Sequence, residues 1–408
     1  MGGIKINSII GVLTLLILIS LTLLGLYQWF LAAIAIVRGE RASPIEVNTL
    51  PITRFLVLMP AHNEELCLKS TLTSLRSTRY PPQLVRVVVI ADRCTDGTVL
   101  IAKDMGVECL DRTTGQPGKG PAIAWALDEL KQKGAGFDAL VIVDADTIVD
   151  PEIFVAFGSE LSAGHHVQQG YCYISNPWES TFTRIIAVTS VLRNKLFYAG
   201  KNGAGLPAML AGTGMCFSKR IIDQYGWTAF SVGEDWEFSA ALVLADEKIS
   251  FNSAARVFQL ESTKLRQASR QRLRWAGGRH AVVGESVSKL VKKGVTEGSL
   301  YSLDAALTLI APNYSSQASM GIMAFIGTWF LLGDVMWSWL MPWSLGMLAS
   351  LGAYFLLGVA YTEKPLKALL GVVLIPIFLP WRLVIEILGL FGFGRKVWFR
   401  TSRTTTSR

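Results

Sequence analysis

Charge is scarce in this chain. Only 17% of the 408 residues are Asp, Glu, Lys or Arg, against 51% hydrophobic, and the mean hydropathy is +0.39. That balance is too apolar for an ordinary cytosolic enzyme. Cysteine is sparse too: Cys67, Cys94, Cys109, Cys172 and Cys216 are odd in number and contain no Cys-x-x-Cys pair. A zinc site or a disulfide framework is therefore not expected, a reducing compartment is favoured, and the five thiols read as structural. No dense basic run interleaved with aromatics occurs in the polar part, so the net charge of +8 does not point to nucleic acid. Lys and Arg gather instead beside apolar segments, as in membrane proteins with positive inner loops. Internal repeats and low-complexity tracts are missing. So is a P-loop, because Gly118-Lys119-Gly120 lacks the required spacing.

Long apolar runs are what the chain has in plenty. Ile9 to Val37 holds no charged residue and exceeds the ~20 residues that span a bilayer. A signal peptide would have an apolar core of only ~7–15 residues and a small-residue cleavage site. Here the run ends in Arg38 and Arg41, so it reads as a retained transmembrane helix, followed by a polar linker from Gly39 to Ile52. Near the other end, Ser319–Leu340 and Trp343–Tyr361 read as spans. Pro376, Pro380, Arg382 and Glu386 interrupt the apolar stretch from Leu366 to Phe393. A third full span would also put the basic tail (Arg395, Lys396, Arg400, Arg403, Arg408) on the side opposite a cytosolic domain. That stretch is therefore expected to be re-entrant or a broken hairpin. The expected division is a membrane helix and linker start at 1–42, a soluble domain at 43–285, an interfacial segment at 286–317, membrane helices at 318–393, and a cytosolic tail at 394–408.

Between the membrane segments β and α patterns alternate. Phe55–Met59, Val85–Ala91 and Ala139–Val143 are β-rich runs. Glu65–Ser77, Thr98–Met105, Gly120–Lys133, Pro151–Leu161 and Trp236–Ala245 carry helical patterns. Such repetition predicts an α/β domain with a mainly parallel sheet and helices on both faces. Thr181–Phe197 is partly amphipathic and suits either the membrane surface or the sheet.

Polar signatures fall where these runs end, and ligands of open parallel sheets bind beyond the carboxyl ends of the strands. Pro60-Ala61-His62-Asn63-Glu64 follows the first strand and opens a helix whose N–H groups suit a negatively polarised ligand. Asp92 ends the second strand, where a carboxylate can accept the imide N–H of a uracil ring. Taken alone, Asn63 or Asp96 reads as a cap. Asp144-Ala145-Asp146 follows a buried β-run, and its two carboxylates suit a hard cation such as Mg²⁺ or Mn²⁺ carrying a diphosphate. Lys119 could place an ammonium on phosphate oxygens or lie in solvent. Gly233-Glu234-Asp235 precedes a helix, either as an acidic first turn or with Asp235 as a general base. Gln271, Arg274 and Trp275 share one helix face by their spacing, which suits a pyrophosphate beside a stacked sugar.

The set in this order resembles the inverting family 2 glycosyltransferases of GT-A fold. It is most similar to the membrane-integrated group that includes cellulose, chitin, hyaluronan and poly-N-acetylglucosamine synthases and ceramide glucosyltransferase-like enzymes. The resemblance covers about Phe55 to Gly278. It implies a Rossmann-like GT-A domain on the cytosolic side of the cell (inner or plasma) membrane, in a multi-pass protein using Mg²⁺ or Mn²⁺. It further implies donor contacts from Pro60, Ala61, His62, Glu64, Asp92, Lys119, Asp144, Gln271, Arg274 and Trp275. Asp144 and Asp146 would hold the metal, Asp235 would be the base, and Gly214, Cys216, Glu234, Asp235 and Trp275 would meet the acceptor. The family's usual Thr-Glu-Asp is Gly-Glu-Asp here. The expected partners are a nucleotide-sugar donor, read as UDP-linked from Asp92, a glycan or lipid acceptor and membrane lipids, without nucleic acid. Two products stand side by side: a growing β-linked polysaccharide, for which an oligomer or accessory export partner would help build a path, and a singly glycosylated membrane lipid. The non-enzymatic alternative, a nucleotide-sensing membrane protein, leaves Asp235 and the Gln271-Arg274-Trp275 set without a use.

Overall fold

A computed structural model describes residues 2–39, 52–263 and 265–394. The linker's residues 40–51 and the basic tail from 395 lie outside the described residues. The α/β domain is built on one eight-stranded sheet in the order β3-β2-β1-β4-β7-β6-β8-β5. Its strands are β1 (Phe55–Ala61), β2 (Val85–Asp92), β3 (Glu108–Arg112), β4 (Ala139–Ile142), β5 (Thr147–Val149), β6 (Val167–Ile174), β7 (Met215–Ser218) and β8 (Ile249–Gln259). Strands β3, β2, β1 and β4 run parallel. Strand β7 is antiparallel to both β4 and β6, β8 is parallel to β6, and β5 is antiparallel to β8. The sheet is thus mixed, its parallel half being the one with readable β-runs. Side chains alternate across it as a period of two requires. Leu56 and Leu58 join Val88 and Ile90 in one core, while Phe55, Val57 and Met59 join Val89 and Val141 in the other.

The helices of the domain are α2 (Leu68–Arg76), α3 (Thr98–Asp104), α4 (Lys119–Gln132), α5 (Ile153–Ser162), α6 (Thr181–Val191), α7 (Ala199–Gly203), α8 (Lys219–Tyr225) and α9 (Glu234–Leu244). A π-helical stretch at Leu192–Tyr198 joins α6 to α7. Helix α6 packs on the sheet, one of the two placements its pattern suits: Phe182 and Ile185 enter the sheet's core, while Val188 packs with Ala32, Tyr354 and Phe355 of the flanking helices.

The apolar flanks are α1 (Gly2–Arg38), α12 (Tyr314–Phe330), α13 (Leu340–Ala360), α14 (Pro365–Leu369) and α15 (Ile375–Leu390), with α10 (Leu265–Thr296) and α11 (Leu300–Ile310) leading into them. Among the described residues three helical segments are long and apolar enough to cross a membrane: Ile6–Arg38, Leu340–Ala360 and Pro365–Leu390. Three boundaries differ from the expected ones. Helix α10 runs unbroken through residue 285, because its helical pattern ignores the change from neutral to basic composition used to divide the chain there. Helix α12 stops at Phe330, and residues 331–339 form turns around Asp334, so Ser319–Leu340 is not one helix. Pro365–Leu390 is continuous rather than a broken hairpin. Pro376 falls in the first turn of α15, where no N–H is missed, and a short 3₁₀ stretch at Leu370–Leu374 joins α14 to α15.

Helix α1 is fixed to the domain by buried polar contacts. The Lys201 ammonium lies 2.7 Å from Asp304 and 2.6 Å from the Thr308 hydroxyl, and the Tyr27 hydroxyl donates to Asp304. Gly200 lets the backbones of α7 and α1 touch: a Cβ there would sit 2.2 Å from the Leu31 carbonyl oxygen.

Candidate active site

The sheet topology gathers the signatures at one edge. Strands β1, β2 and β4 are parallel neighbours, so the segments after Ala61, Asp92 and Ile142 emerge side by side. Strand β7 runs the other way, with Met215 opposite Ile142, so the residues before it, Gly212-Thr213-Gly214, reach the same edge. The backbone N–H of Asp144 donates to the Thr213 hydroxyl at 3.0 Å. Buried Gln169 on β6 holds the loop from beneath: its amide donates to the Thr213 carbonyl at 3.1 Å and accepts from Ala211 N–H at 2.7 Å.

The loops after β1 and β2 are laced together. His62 Nδ1 lies 2.7 Å from the Asp92 carbonyl oxygen, Glu64 N–H donates to the Thr98 hydroxyl at 2.8 Å, and Asn63 Oδ1 accepts from Thr95 N–H at 2.7 Å. Asn63 therefore works as loop glue in a left-handed conformation (φ 59°). Asp92 is fully buried. Its Oδ1 accepts from Arg93 and from Arg112, each at 2.7 Å, and its Oδ2 from Gly118 N–H at 3.3 Å. The carboxylate expected to meet a base is thus already ion-paired, and it ties the start of α4 to the end of β2.

Lys119, the first residue of α4, is the centre of the site. Its Nζ lies 2.6 Å from Asp144 Oδ1 and 3.4 Å from Glu234 Oε1, and it donates to the Gly212 carbonyl at 2.6 Å. Burial works against its charge, but the Asp144 and Glu234 carboxylates outweigh that and hold it above the ordinary lysine value. Burial also raises Asp144; Lys119 opposes the shift and Asp146 adds to it. Asp235 is pushed up to about 8, by burial first and then by neighbouring Glu234. Glu234 is itself raised by burial against the pull of Lys119. Gly212 has φ +81°, and a Cβ there would lie 3.3 Å from Lys119 Nζ and 3.5 Å from Asp235 Oδ2. Its lack of a side chain leaves the space between the Asp235 carboxyl and the Lys119 ammonium open.

Helix α10 closes the site from the other side. It approaches α9 at two glycines: a Cβ on Gly233 would lie 3.1 Å from the Gly278 carbonyl carbon. This contact gives a physical reason for Gly before Glu234-Asp235, since a threonine would strike the α10 backbone. Arg274 acts electrostatically on both Asp144 and Glu234. Trp275 is exposed, and the guanidinium of Arg272, paired with Glu261 at 2.9 Å, sits 5.5 Å from its ring. Gln271 is half-buried on the same helix.

Cys216 stands apart from the acceptor position expected of it. It lies on β7 with its side chain wholly inside the core beside Val141, and burial pushes its thiol up. Pro60 and Ala61 are buried within β1, so only their backbone can serve the cleft. Thr213 lies in the segment Gly212 to Phe217 expected near the acceptor, without a role of its own there; nothing local in the sequence marks Gln169 or Arg112.

Among the described residues no group of three or more His, Cys, Asp or Glu side chains is placed to hold a metal by itself. A metal held by Asp144 and Asp146 would need further oxygens from a diphosphate, the donor chemistry that hard cations take. Asp144, Glu234 and Asp235 surround Lys119, with Arg274 acting on the first two and Asp146 beside Asp144, an acidic excess that a divalent cation would neutralise. The residues fit such an ion.

The family described as "Glycosyltransferase like family 2" matches residues 53–278. The Bacillus subtilis (strain 168) protein named "Probable glycosyltransferase YdaM" is 24% identical over 255 residues, 60% of this chain and 60% of that protein. A poly-beta-1,6-N-acetyl-D-glucosamine synthase of Staphylococcus epidermidis is 24% identical over 233 residues, 55% of this chain and 54% of that protein. The matches thus span little more than half the length of these relatives. The mannosyltransferase PcManGT from Pyrobaculum calidifontis, solved with GDP-Man and Mn2+, superposes over 88% of this chain and 98% of its own, with TM-score 0.51 and 16% identity. That likeness shows a shared fold.

Proposed function

The chain belongs to the family 2 glycosyltransferases, and from that premise we propose that it transfers a sugar from a nucleoside-diphosphate sugar, of UDP type, to a hydroxyl of a growing β-linked polysaccharide at the membrane. The observation that carries this reading is the Lys119 ammonium, which joins Asp144 at 2.6 Å to Glu234 at 3.4 Å. One cation thereby links the diphosphate side of the cleft to the acceptor side. Asp144 and Asp146 would hold Mg²⁺ or Mn²⁺, which would supply positive charge for the departing diphosphate. Lys119 and Arg274 add fixed charge for the same oxygens, and Glu64 and the Asp92–Arg112 pair shape the nucleotide end. The acceptor oxygen bonds to the anomeric carbon as the bond from that carbon to the diphosphate breaks, so the centre inverts. Asp235 takes the hydroxyl proton, and an elevated carboxyl suits a base working near neutrality. Gln271 and Trp275 hold the sugar at the mouth of the site.

The test is incubation of membranes containing the chain with radiolabelled nucleotide sugars, followed by sizing of the product. A high-molecular-weight labelled polymer supports the reading; no transfer from any nucleotide sugar refutes it. Among the described residues three helical segments are long and apolar enough to cross a membrane, a small number that favours a second reading, in which one sugar is added to a membrane lipid. Label confined to a small lipid-extractable product would select it.

A further inference from the structure

Pro365–Leu390 has the length and composition of a membrane-crossing helix, yet both of its ends rest on the α/β domain and the helix that follows it. Near its start, a Cβ on Gly371 would lie 3.3 Å from Arg184 and 3.2 Å from Ile185, both on α6. In its middle, the rings of Phe378 and Trp381 pack against Phe182 of α6, with centroids 5.9 and 5.5 Å away, and Trp381 Nε1 donates to Ser269 of α10 at 2.8 Å. Near its end, Glu386 meets Arg279 of α10 at 3.3 Å, and a Cβ on Gly389 would be 2.6 Å from the Ala276 methyl. Gly371 and Gly389 are separated by about 27 Å of helix, close to the ~30 Å of a hydrocarbon core. A crossing helix would carry them to opposite leaflets. Helices α6 and α10 could not follow, because they bear Arg184, Arg266, Arg270, Arg274 and Arg279, and such charges are expensive in hydrocarbon.

The two faces of the segment differ as an in-plane position requires. Leu366, Leu370, Val373, Ile377, Val384 and Ile387 are exposed at steps of four, three, four, seven and three, which places them on one side. The other side carries Arg382 and Glu386, paired with each other at 2.6 Å, and Glu386 also accepts from Asn313 at 2.7 Å. A helix with an apolar stripe outward and paired charges inward is the kind that lies within an interface. We propose that Pro365–Leu390 lies flat in the bilayer interface on the same side as the α/β domain, with its Leu366–Ile387 stripe against lipid and its Trp381–Gly389 face gripping α10. The occupant of the stripe is lipid, because α13, which packs on α14, and α1, which packs on α13, present lipid-type exposed surfaces as well, with Leu23, Leu26 and Leu356 each more than half exposed.

The crossings are then α1, α13 and the shorter α12, whose 17 residues give about 25 Å of helix and which packs on both of them. Arg38 at one end of α1 donates to the Gly203 carbonyl of α7. Asn7 near the other end donates to Asp334 in the α12–α13 turn at 3.3 Å. Some 47 Å of helix lies between them, so that turn is on the far side. The end of α15 returns to the side of the domain, and the face of α10 opposite to the grip is the one that carries Gly278 against Gly233. The inference concerns placement and does not depend on the proposed reaction.

The experiment uses the full chain in sealed membrane vesicles of defined orientation, with Cys94→Ser and Cys109→Ser as background. Single cysteines replace exposed Leu100, Val335, Glu363 and Phe393, and an impermeant maleimide is applied from each side. Positions 100, 363 and 393 should label from one side and 335 from the other. Labelling of 393 together with 335, or of 363 and 393 from opposite sides, overturns the placement. A fluorophore on Val373→Cys should be quenched by brominated lipid. Absence of quenching, with ready disulfide cross-linking between two chains at 373, would put a second copy where lipid is proposed.

Discussion

Asp235→Asn should make this protein more stable and almost inactive at once. The carboxyl is pushed up from 3.8 to about 8 by burial and by Glu234, so the folded state binds more protons than the unfolded state between roughly pH 4 and pH 8. Stability contributed by this group is therefore complete below about pH 4 and is lost as pH rises towards 8, with a slope of at most ~1.4 kcal/mol per pH unit. At neutral pH the accumulated cost is on the order of a few kcal/mol, shared with Glu234 and Lys119. Asparagine keeps the shape and can still accept from Trp236 N–H, a 2.9 Å contact in the native chain, but it removes the charge. Purified protein in detergent should show a melting temperature several degrees above native at pH 8, the gap narrowing by pH 5. Turnover should fall by ~10²-fold or more, because the proton acceptor is gone, while nucleotide-sugar binding stays close to native. In the native enzyme the alkaline-rising limb of turnover should centre near pH 8, and Glu234→Gln should lower that midpoint by removing the like charge. A variant no more stable than native at pH 8, or one with near-native turnover at saturating acceptor, would refute the reasoning.

Asp144→Ala or Asp146→Ala should abolish transfer, and EDTA should stop the native enzyme reversibly; full activity in EDTA would remove the metal from the account. Gly233→Thr, which restores the family's usual residue, should destabilise by ~1–3 kcal/mol through overpacking against Gly278 and reduce turnover, as melting and rate measurements would show. Arg112→Ala removes the buried partner of Asp92 while Arg93 stays paired with it, and should cost ~1–3 kcal/mol, seen as a lowered melting temperature with weaker nucleotide binding. Gly389→Leu forces a side chain into Ala276 and should lower turnover through α10 although it lies far along the chain from Asp235.

Three of the four parallel strands were legible because they are buried over most or all of their length and read as largely apolar runs: Phe55–Met59, Val85–Ala91 and Ala139–Val143 fall on β1, β2 and β4. Edge strand β3 and the mixed half of the sheet were not. Strand β6 carries Gln168 and Gln169 wholly inside the protein, where their hydrogen bonds replace water, and a hydropathy pattern takes such residues for exposed ones. Cys216 was misplaced for a related reason: alternation along β7 turns it inward, and that phase is known only once β4 and β6 are its neighbours.

Residue types and their order by themselves determined the kind of chemistry: paired carboxylates after a buried strand, an acidic pair before a helix, and an Arg-Trp face on a later one. They also determined that the domain is bracketed by membrane-type helices. Only the tertiary structure decided that Lys119 sits between Asp144 and Glu234, that Asp92 is consumed by Arg112, and that Gly233 is glycine because Gly278 leaves no room. Each of those facts depends on a contact between segments tens to more than a hundred residues apart, and sequence patterns of period 2 or 3.6 record only which way a side chain faces, not what it meets.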